Sequence, residues 1–287
     1  MQIIKMTKKS LKNMIPTTII LKRRYKICFG EDLNLHHPTN FNEKIQWLKI
    51  HKKNNSYTKL VDKYLVRDYV AQTIGSKYLI PLLGVYKTFD AINFDELPDK
   101  FVLKTNHDSG SVVICLSKKT FDINHARKVL SESLKRNYFY QSREYPYKKV
   151  KPLIIAEQFI GENDCPPKDF KILCFNGKPD NIMVCTDRFI GQTKYYFFDL
   201  DWNLLRYNHW GQIASKDFTL PKPSNLYEMI SIAMKLSKGT ILSRIDLYDV
   251  CGKVYFGEIT FFPDSGFDKN LTKEASLILG NKIELEK

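Results

Sequence analysis

Two short charged segments near the C-terminal end of the chain could hold a metal ion between them. The segments Arg244-Ile-Asp246 and Glu258-Ile-Thr260 flank a turn centred on Gly252. Antiparallel pairing that is symmetrical about Gly252 places Asp246 opposite Glu258. It also places Arg244 opposite Thr260, so all four side chains share one face of the hairpin. Facing Cβ atoms lie about 4.5–5.5 Å apart, and two carboxylates at that separation suit a hard divalent cation such as Mg²⁺.

The same hairpin has a structural alternative. Its four side chains could be solvent-facing charges, with Arg244 pairing diagonally with Asp246. A register slip of one residue would move half of the set to the other face. If the metal site forms, Arg244 would suit a transferred phosphoryl group. The hairpin alone leaves both interpretations open.

A polar loop that follows a lysine is a second candidate site. Lys104 ends an apolar run, and the loop Thr105–Ser111 is rich in Ser and Gly. Exposed backbone N–H groups of such a loop can bind phosphate oxygens. The GxxxxGK[ST] pattern of a P-loop is absent, so an ordinary turn is the alternative, and His107 could be structural. The residues that could contact a phosphorylated ligand are Lys104, His107, Ser109, Gly110 and Ser111.

Two further strand-like segments carry charges among apolar neighbours. Glu157 lies in the run 154–160, where its carboxylate could accept a hydrogen bond from an adenine amine or a ribose hydroxyl. Asp169 and Lys171 alternate with apolar residues, so both could face one cleft, and Lys171 could hold a terminal phosphate. An edge-strand glutamate and a surface lysine are the structural alternatives.

The motif Asp199-Leu-Asp201 points to a different reaction. It resembles the DxD of metal-dependent glycosyltransferases. Turns rich in Asp are common for local hydrogen-bonding reasons, so the match has low specificity. It nevertheless gives an alternative function, a glycosyltransferase that uses Asp199 and Asp201.

The elements that must position these residues are helices mixed with antiparallel strands. Asn176-Gly177 between apolar runs predicts a tight hairpin, and a strand–helix alternation with GxGxxG is missing. The sequence therefore predicts an α+β fold with mostly antiparallel sheets. Helices are predicted after a capping box of Asn40 with Glu43, over 57–74 with Gly75 as its stop, over 124–137, and over 226–236 with Asn225 and Glu228 as its cap.

The composition is that of a basic globular chain. The 287 residues carry a net charge of +14, which attracts nucleic acid, anionic lipid or carbohydrate, or phosphate-rich small molecules. Lys and Arg are dense between Lys8 and Lys26, so the N-terminal third is the expected docking face. A simple N-terminal helix and a peripheral membrane contact through this basic segment are both open.

The expected location is cytoplasmic, with the inner face of a membrane as an option. The six cysteines form no CxxC pair, which favours reduced thiols. No apolar run reaches the about 18–20 residues of a membrane helix. The first 26 residues lack a small-residue cleavage site, so a signal peptide is not expected.

The order of the candidate residues resembles the ATP-grasp superfamily. A lysine before a polar loop precedes a strand with Glu157, a strand with Lys171 and a hairpin similar to R-x-D…E-x-N, with Thr260 in place of Asn. More narrowly, the chain resembles the TupA-like ATP-grasp group of bacterial cell-surface polysaccharide loci. The similar stretches cover about Phe41 to Phe267 and are Phe41–Trp47, Asp62–Tyr64 with Arg67, Phe101–His107 with Ser109-Gly110, Asp169–Lys171 with Phe175–Pro179, and Phe262-Pro263 with Ser265-Gly266.

This resemblance implies an ATP-grasp fold whose cofactors, ATP and Mg²⁺, lie between two lobes. The implied lobes are an N-terminal one over 1–98, a central one over 99–152 and a C-terminal one over 153–287. A threonine binds Mg²⁺ more weakly than the usual Asn, and Asp264 could replace it. The implied roles are phosphate binding by Lys104 and Lys171, an adenine–ribose hinge at Glu157, Gln158, Phe159 and Ile160, metal binding by Asp246, Glu258 and Thr260, and catalysis by Arg244 with Lys171.

The function implied by the resemblance is amide formation through an acyl phosphate. The chain would join an amino acid or amine to a uronic-acid-type sugar in capsule or O-antigen synthesis, with an anionic sugar or lipid-linked saccharide as acceptor. The third hypothesis is a basic nucleic-acid-binding protein without catalysis. It lacks an RNP, KH or helix-turn-helix signature, so no nucleic-acid partner is expected.

Overall fold

A computed structural model describes residues 15–186 and 193–285 of the chain. The basic residues Lys8, Lys9 and Lys12 lie outside the described residues. The helices are α1 (Thr17–Phe29), α2 (Phe41–His51), α3 (Tyr57–Val61), α4 (Val66–Thr73), α5 (Ile123–Leu134), α6 (Tyr138–Ser142), α7 (His209–Ile213), α8 (Leu226–Leu236) and α9 (Lys273–Asn281). The strands are β1 (Leu82–Tyr86), β2 (Phe101–Thr105), β3 (Val112–Cys115), β4 (Ile154–Gln158), β5 (Asp169–Phe175), β6 (Lys178–Thr186), β7 (Lys194–Phe198), β8 (Leu204–Leu205), β9 (Leu242–Val250) and β10 (Lys253–Thr260).

The smaller sheet has the strand order β1-β4-β2-β3, and its pairs are antiparallel. Phe101 and Leu103 on β2 are fully buried and share a core with Leu130 on α5. Because side chains alternate along a strand, Val102 and Lys104 point to the opposite face. This sheet takes β1, β2 with β3, and β4 from all three segments of the predicted lobe division, whose boundaries stay a prediction.

The larger sheet has the strand order β10-β9-β5-β6-β7-β8 and is also antiparallel. Ile172 and Ile245 are paired across β5 and β9, are fully buried, and share a core with Met229 of α8. The alternate residues Lys171 and Asp246, which also face each other, therefore lie on the side of the sheet away from α8. The predicted α+β class with antiparallel sheets is confirmed.

The hairpin β9–β10 brings Asp246 opposite Glu258 and Arg244 opposite Thr260, as predicted, although not by symmetry about Gly252. The turn has two residues, Cys251 and Gly252, both with positive φ (49° and 74°), as a type I′ turn requires. The strand register shifts between Phe256 and Glu258, so Gly257 is the extra residue of a β-bulge. The bulge, rather than a three-residue turn, puts the charged residues in register.

Two predicted helix features differ in the structure. The predicted helix over 57–74 is broken after α3, because Asp62 is extended and its carboxylate accepts hydrogen bonds from the backbone N–H groups of Tyr64 and Leu65. Asn225 does not cap α8 through its side chain; it donates to Asp249 instead. The capping box of Asn40 with Glu43 at α2 is confirmed. None of the described helices is long and apolar enough to cross a membrane.

Candidate active site

A cavity of about 560 Å³ separates the exposed face of the smaller sheet from the charged face of the larger one. This volume lies within the range of small-molecule sites. Both sheets, the β2–β3 loop and the loop after β10 contribute to its walls. The charged and polar lining residues include Lys63, Lys104, Asp108, Ser109, Gly110, Ser111, Glu157, Gln158, Asp169, Lys171, Arg244, Asp246, Glu258 and Asp264, and the apolar ones include Phe159 and Ile160.

The wall formed by the smaller sheet carries one carboxylate that lies between two cations, Lys104 of the same wall and Arg67 of α4 behind it. Lys104 Nζ lies 2.6 Å from Glu157 Oε2, and Arg67 Nη1 lies 3.3 Å from Glu157 Oε1. Arg67 also donates to the carbonyl oxygen of Ile80 at 2.9 Å. Glu157 is 5% exposed, so both cations offset the cost of burying its charge. The cluster keeps one positive charge in excess.

The wall formed by the larger sheet is richer in carboxylates. Arg244 binds both carboxylate oxygens of Asp246, at 2.8 and 2.9 Å. Lys171 contacts Asp246 and lies 2.7 Å from Asp169. Arg244 Nη2 is also 3.6 Å from Glu258 Oε1. These side chains meet because β5, β9 and β10 are neighbours and the residues share one face of the sheet.

The charges around Glu258 shift its ionisation. Burial opposes its charged form, but Lys63, Lys171 and Arg244 lower the pKa of Glu258 to about 2. Asp246 in turn raises the pKa of Lys171, against the effect of burial. Glu258 and Lys171 are therefore both charged at neutral pH.

Lys63 lines the cavity, although its role was not predicted from the sequence. It lies at the break between α3 and α4, where Asp62 turns the chain. Its ammonium group donates to the carbonyl oxygen of Asp108 at 2.6 Å and lies 3.5 Å from Glu258. The sequence feature that indicates the helix break is the polar triplet Asp62-Lys63-Tyr64, which interrupts the apolar pattern of the predicted helix.

The β2–β3 loop is folded around a buried carboxylate. Asp108 accepts hydrogen bonds from the hydroxyl groups of Thr105, Ser111 and Ser133, at 2.5, 2.6 and 2.6 Å. Ser109 and Gly110 are exposed at the tip, and Gly110 has φ +90°, a conformation that favours glycine. The exposed tip lines the cavity, while Asp108 fixes the base of the loop.

His107 does not line the cavity, although its place in the polar loop predicts a phosphate contact. It is 2% exposed, and its Nε2 lies 3.2 Å from the carbonyl oxygen of Ser133 and 3.1 Å from that of Arg136. The alternation of side chains along β2 does not continue past Thr105 into the loop. The imidazole ring of His107 therefore turns towards the end of α5. Burial lowers the pKa of His107, so the neutral ring anchors the loop.

The sequence matches the family described as TupA-like ATPgrasp over residues 43–284. That match covers most of the 287 residues. The chain belongs to this family. The resemblance inferred from the order of Lys104, Glu157, Lys171 and the charged hairpin is thereby confirmed, and with it the ATP-grasp fold.

Several solved structures are similar to this ATP-grasp chain. They include the D-alanine–D-alanine ligase from Bacillus anthracis complexed with ATP, at 15% identity and a TM-score of 0.45, covering 80% of this chain and 65% of that one. The D-alanine–D-alanine ligase from Helicobacter pylori has 15% identity, a TM-score of 0.43 and coverages of 86% and 70%. A RimK domain ATP-grasp protein from Sphaerobacter thermophilus has 12% identity, a TM-score of 0.41 and coverages of 80% and 69%. The chain thus spans about two thirds of the length of these relatives, and no curated protein sequence matches it.

ATP and Mg²⁺ are the cofactors of ATP-grasp enzymes, and the residues of the cavity fit both. Lys63, Lys104 and Lys171 supply positive charge for phosphates, and the exposed tip of the β2–β3 loop lines the same cavity. Asp246 and Glu258 supply the hard oxygen ligands that Mg²⁺ prefers. The described residues contain no group of three or more His, Cys, Asp or Glu side chains gathered around one metal position. Arg244, Lys171 and Lys63 hold these carboxylates instead, so the metal ligands stay a prediction.

Thr260 is the predicted metal ligand with the least support. It faces Arg244 across the hairpin but is not among the residues that line the cavity, whereas Asp264 is. Asp264 and Ser265 both have positive φ, 47° and 56°. The loop is fixed from behind by Lys49, whose ammonium group donates to the carbonyl oxygen of Ser265 at 2.6 Å, and by Glu144, which accepts from the hydroxyl of Ser265.

Asp199 and Asp201 form a turn and do not line the described cavities. The carboxylate of Asp199 accepts from the backbone N–H groups of Asp201 and Asn203, at 3.0 and 2.8 Å, and from the side chain of Asn203 at 2.9 Å. Burial raises the pKa of Asp199, but these hydrogen bonds outweigh it and lower the pKa. The DxD similarity is therefore explained by local turn geometry.

Proposed function

We propose that this ATP-grasp chain is a carboxylate–amine ligase that forms an amide through an acyl phosphate. The observation that supports this most is the placement of two opposed charge clusters across one cavity. Lys104 and Glu157 lie on one wall, and Lys171, Arg244, Asp246 and Glu258 lie on the other. Phosphoryl transfer needs mainly positioning and electrostatic stabilisation, and these clusters can provide both.

Each cluster has a proposed part in the reaction. Lys63, Lys104 and the tip of the β2–β3 loop bind the phosphates of ATP, and Gln158, Phe159 and Ile160 border the base. Asp246 and Glu258 hold Mg²⁺, which neutralises phosphate charge when it is bound. Arg244 stabilises the phosphoryl group that moves to the substrate carboxylate, and Lys171 holds the same group from β5. The amine then attacks the acyl carbon, and phosphate leaves.

The proposed substrates are a uronic-acid-type sugar, which supplies the carboxylate, and an amino acid or another amine. The net charge of +14 favours a polyanionic saccharide or a lipid diphosphate. The resemblance to polysaccharide-locus proteins supports the same substrate class. Asp199 and Asp201, engaged in a turn, give the glycosyltransferase alternative no support.

The test is release of ADP with Mg²⁺, screened over pairs of amines and uronic-acid acceptors. We expect ADP release that needs both substrates, and a rise in melting temperature with ATP and Mg²⁺ because a ligand bound to the folded state stabilises it. Nucleotide sugars serve as the control and should leave the melting temperature unchanged. Stabilisation by nucleotide sugars but not by ATP would sink the ligase assignment.

We further propose that α1 rests on an anionic membrane surface that carries the saccharide. Lys22, Arg23 and Lys26 are exposed on α1, and Ile19 and Ile27 on the same side are 57% and 73% exposed. Basic and apolar residues on one exposed face suit an interfacial helix. The opposite side of α1, with Leu21 and Tyr25, is buried against the protein.

Co-sedimentation with phosphatidylglycerol vesicles tests this contact. Wild type should bind these vesicles and not phosphatidylcholine vesicles, and the double variant Lys22→Glu/Arg23→Glu should bind about tenfold or more weakly, since each basic residue contributes about 1 kcal/mol. The matched control is Lys235→Glu/Lys238→Glu at the exposed end of α8. Equal loss in both double variants would point to net charge alone and refute a role for α1.

A further inference from the structure

A small second cavity of about 30 Å³ adjoins the charged wall of the larger sheet. It shares Lys171, Met183, Arg244 and Asp264 with the main cavity. Asn181 and Asp268 complete its polar lining, and its other walls are apolar, with Phe41 and Leu173 among them. The volume is enough for one group of the size of a water molecule or an ammonium ion.

Asn181 carries an unsatisfied acceptor in this lining. The residue is 0% exposed, and its Oδ1 has no hydrogen-bond partner among the described residues. Its Nδ2 donates to Asp180 Oδ2 at 2.8 Å, and Asp180 is held in place by Lys282 at 2.5 Å. Because the amide nitrogen must face that carboxylate, the amide cannot be flipped. A buried carbonyl oxygen without a donor is costly, so a donor from a ligand would satisfy it.

The two aspartates of the small cavity are less closely engaged, although Asp264 is near enough to Arg244 to raise the pKa of its guanidinium group. Neither Asp264 nor Asp268 forms an ion pair within 15–186 and 193–285. The carboxylate of Asp268 accepts hydrogen bonds from the backbone N–H of Asn270 at 2.8 Å, from the side chain of Asn270 and from the backbone of Leu271, which leaves part of its acceptor capacity for a ligand. By contrast, Lys171 and Arg244 at the mouth are already paired with Asp169 and Asp246. The groups of the lining that are available to a ligand are therefore hydrogen-bond acceptors, and the carboxylates among them are negatively charged.

We propose that this cavity binds the primary ammonium group of the amine substrate. A primary ammonium has three N–H donors, one each for Asn181, Asp264 and Asp268. Mg²⁺ fits less well, because it requires near-octahedral coordination by oxygen and much of the lining is apolar. The position beside Arg244 places the amine next to the phosphorylated carboxylate, and the ammonium must pass one proton to a carboxylate of the lining before its nitrogen attacks the acyl carbon. The assignment rests on the proposed ligase function and specifies it: primary amines are selected, and bulky tertiary or quaternary amines are excluded.

Binding of methylammonium to the full-length chain tests the site without turnover. Melting temperature is measured against methylammonium chloride, with tetramethylammonium chloride as a probe of equal charge that lacks N–H donors and exceeds the cavity. Wild type should be stabilised by methylammonium and not by tetramethylammonium. The variants Asn181→Leu and Asp268→Asn should each weaken the effect about tenfold, the loss expected when a hydrogen bond to a charged group is removed.

The control variant Asn124→Leu, on the exposed side of α5, should respond as wild type does. Asp268→Asn keeps the shape of the side chain, so it reports on the site even if Asn181→Leu does not fold. Equal stabilisation by both probes, an unchanged response in Asp268→Asn, or no methylammonium effect overturns the proposal. A methylammonium effect without carboxylate-dependent ADP release would retain the amine site and refute the ligase function, so the two failures are distinct.

Discussion

The two walls of the main cavity use the same residue types in opposite proportions. At the smaller sheet, Lys104 of β2 and Arg67 of the adjoining α4 surround the single carboxylate of Glu157. On the larger sheet, Lys171 and Arg244 meet three carboxylates, those of Asp169, Asp246 and Glu258. The first cluster has an excess of positive charge and the second an excess of negative charge, although each taken by itself looks like a network of buried ion pairs.

This difference indicates which ligand each wall is built for. A positive excess in a partly buried site is satisfied by phosphate oxygens, and a negative excess by a metal cation. Lys63 lies between the walls, bound to the β2–β3 loop and near Glu258. The charges of the site are therefore complete only with an anion and a cation present together, as in a nucleotide–Mg²⁺ complex.

Removing the negative excess should have the largest effect. Asp246→Asn and Glu258→Gln should each lower the rate of ADP release about 10³-fold or more, because the cation that offsets the phosphate charge is lost. Steady-state kinetics over a Mg²⁺ titration measures this. Asp201→Asn, in the exposed β7–β8 turn, is the control and should keep full activity. Normal turnover in both site variants would refute the metal assignment.

We expect the two cations that pair with Glu157 to differ in role: Lys104 of β2 contacts the ligand, and Arg67 of α4 stabilises the fold. Lys104 lines the cavity and Arg67 does not. Lys104→Met should weaken ATP binding about tenfold to a hundredfold, while Arg67 still pairs with Glu157. Arg67→Met should instead lower the free energy of unfolding by about 3 kcal/mol, as expected when a buried ion pair loses a partner. Nucleotide titration and urea unfolding of both variants measure the two effects, and reversed results would contradict the comparison.

Carboxylates with and without a nearby cation should differ in their pH dependence. Burial, with the charge of Asp264, raises the pKa of Asp268 to about 6, whereas the surrounding cations lower that of Glu258 to about 2. A raised pKa favours the folded state below about pH 4, and this stability is lost as pH rises through 6. Asp268→Asn should therefore stabilise the ligand-free protein at pH 7.5 by at most about 3 kcal/mol.

The gain from Asp268→Asn should vanish at pH 4, which urea unfolding at both pH values can measure. Glu258→Gln provides the contrast. It should destabilise the ligand-free protein at pH 7.5, because the charged form of Glu258 contributes stability above pH 4.5 that is lost as pH falls towards 2. If both variants changed the free energy of unfolding in the same direction at pH 7.5, the predicted difference between the two carboxylates would be wrong.

The bulge should have the smallest effect of the four. A Cβ at Gly257 would lie 3.0 Å from the carbonyl oxygen of Asp246 and 3.1 Å from the ring of Tyr248. Gly257→Ala should therefore lower the free energy of unfolding by about 1–2 kcal/mol through local overpacking. It should also raise the Mg²⁺ concentration needed for half-maximal ADP release, because the displaced Asp246 would bind the ion less well. Lys253→Ala, exposed at the hairpin tip, should change neither, and an unaltered Gly257→Ala protein would show that the bulge tolerates a side chain.

Features that depend on strand alternation and turn chemistry were predicted best from the sequence. Asn176-Gly177 forms a tight turn with φ of 51° and 74°, and the charged residues of β9 and β10 share one face as expected. The pairing of Asp246 with Glu258 was correct for a different reason, since a two-residue turn and a bulge together replace the assumed three-residue turn. Bulges leave little sequence signal except a glycine, and Gly257 is that signal.

Features that depend on contacts between distant residues were missed. Lys63 joins the site because Asp62 breaks a helix whose apolar spacing appeared continuous. His107 leaves the site because the carbonyl groups at the end of α5 attract its ring. Asn181 looks like any polar residue in a strand, and only the placement of Asp180 and Lys282 shows that its oxygen lacks a donor.

The contacts of the loop after β10 are expected to form late in folding. Lys49 and Glu144, which hold Ser265 and so position Asp264, lie 216 and 121 residues away in the sequence. Contacts between such distant residues form late, since loop closure precedes any gain from them. A chain that emerges from the ribosome has both partners ready before residues 263–266 are made. The part of the cavity wall formed by Asp264 is therefore completed only once this loop has been made.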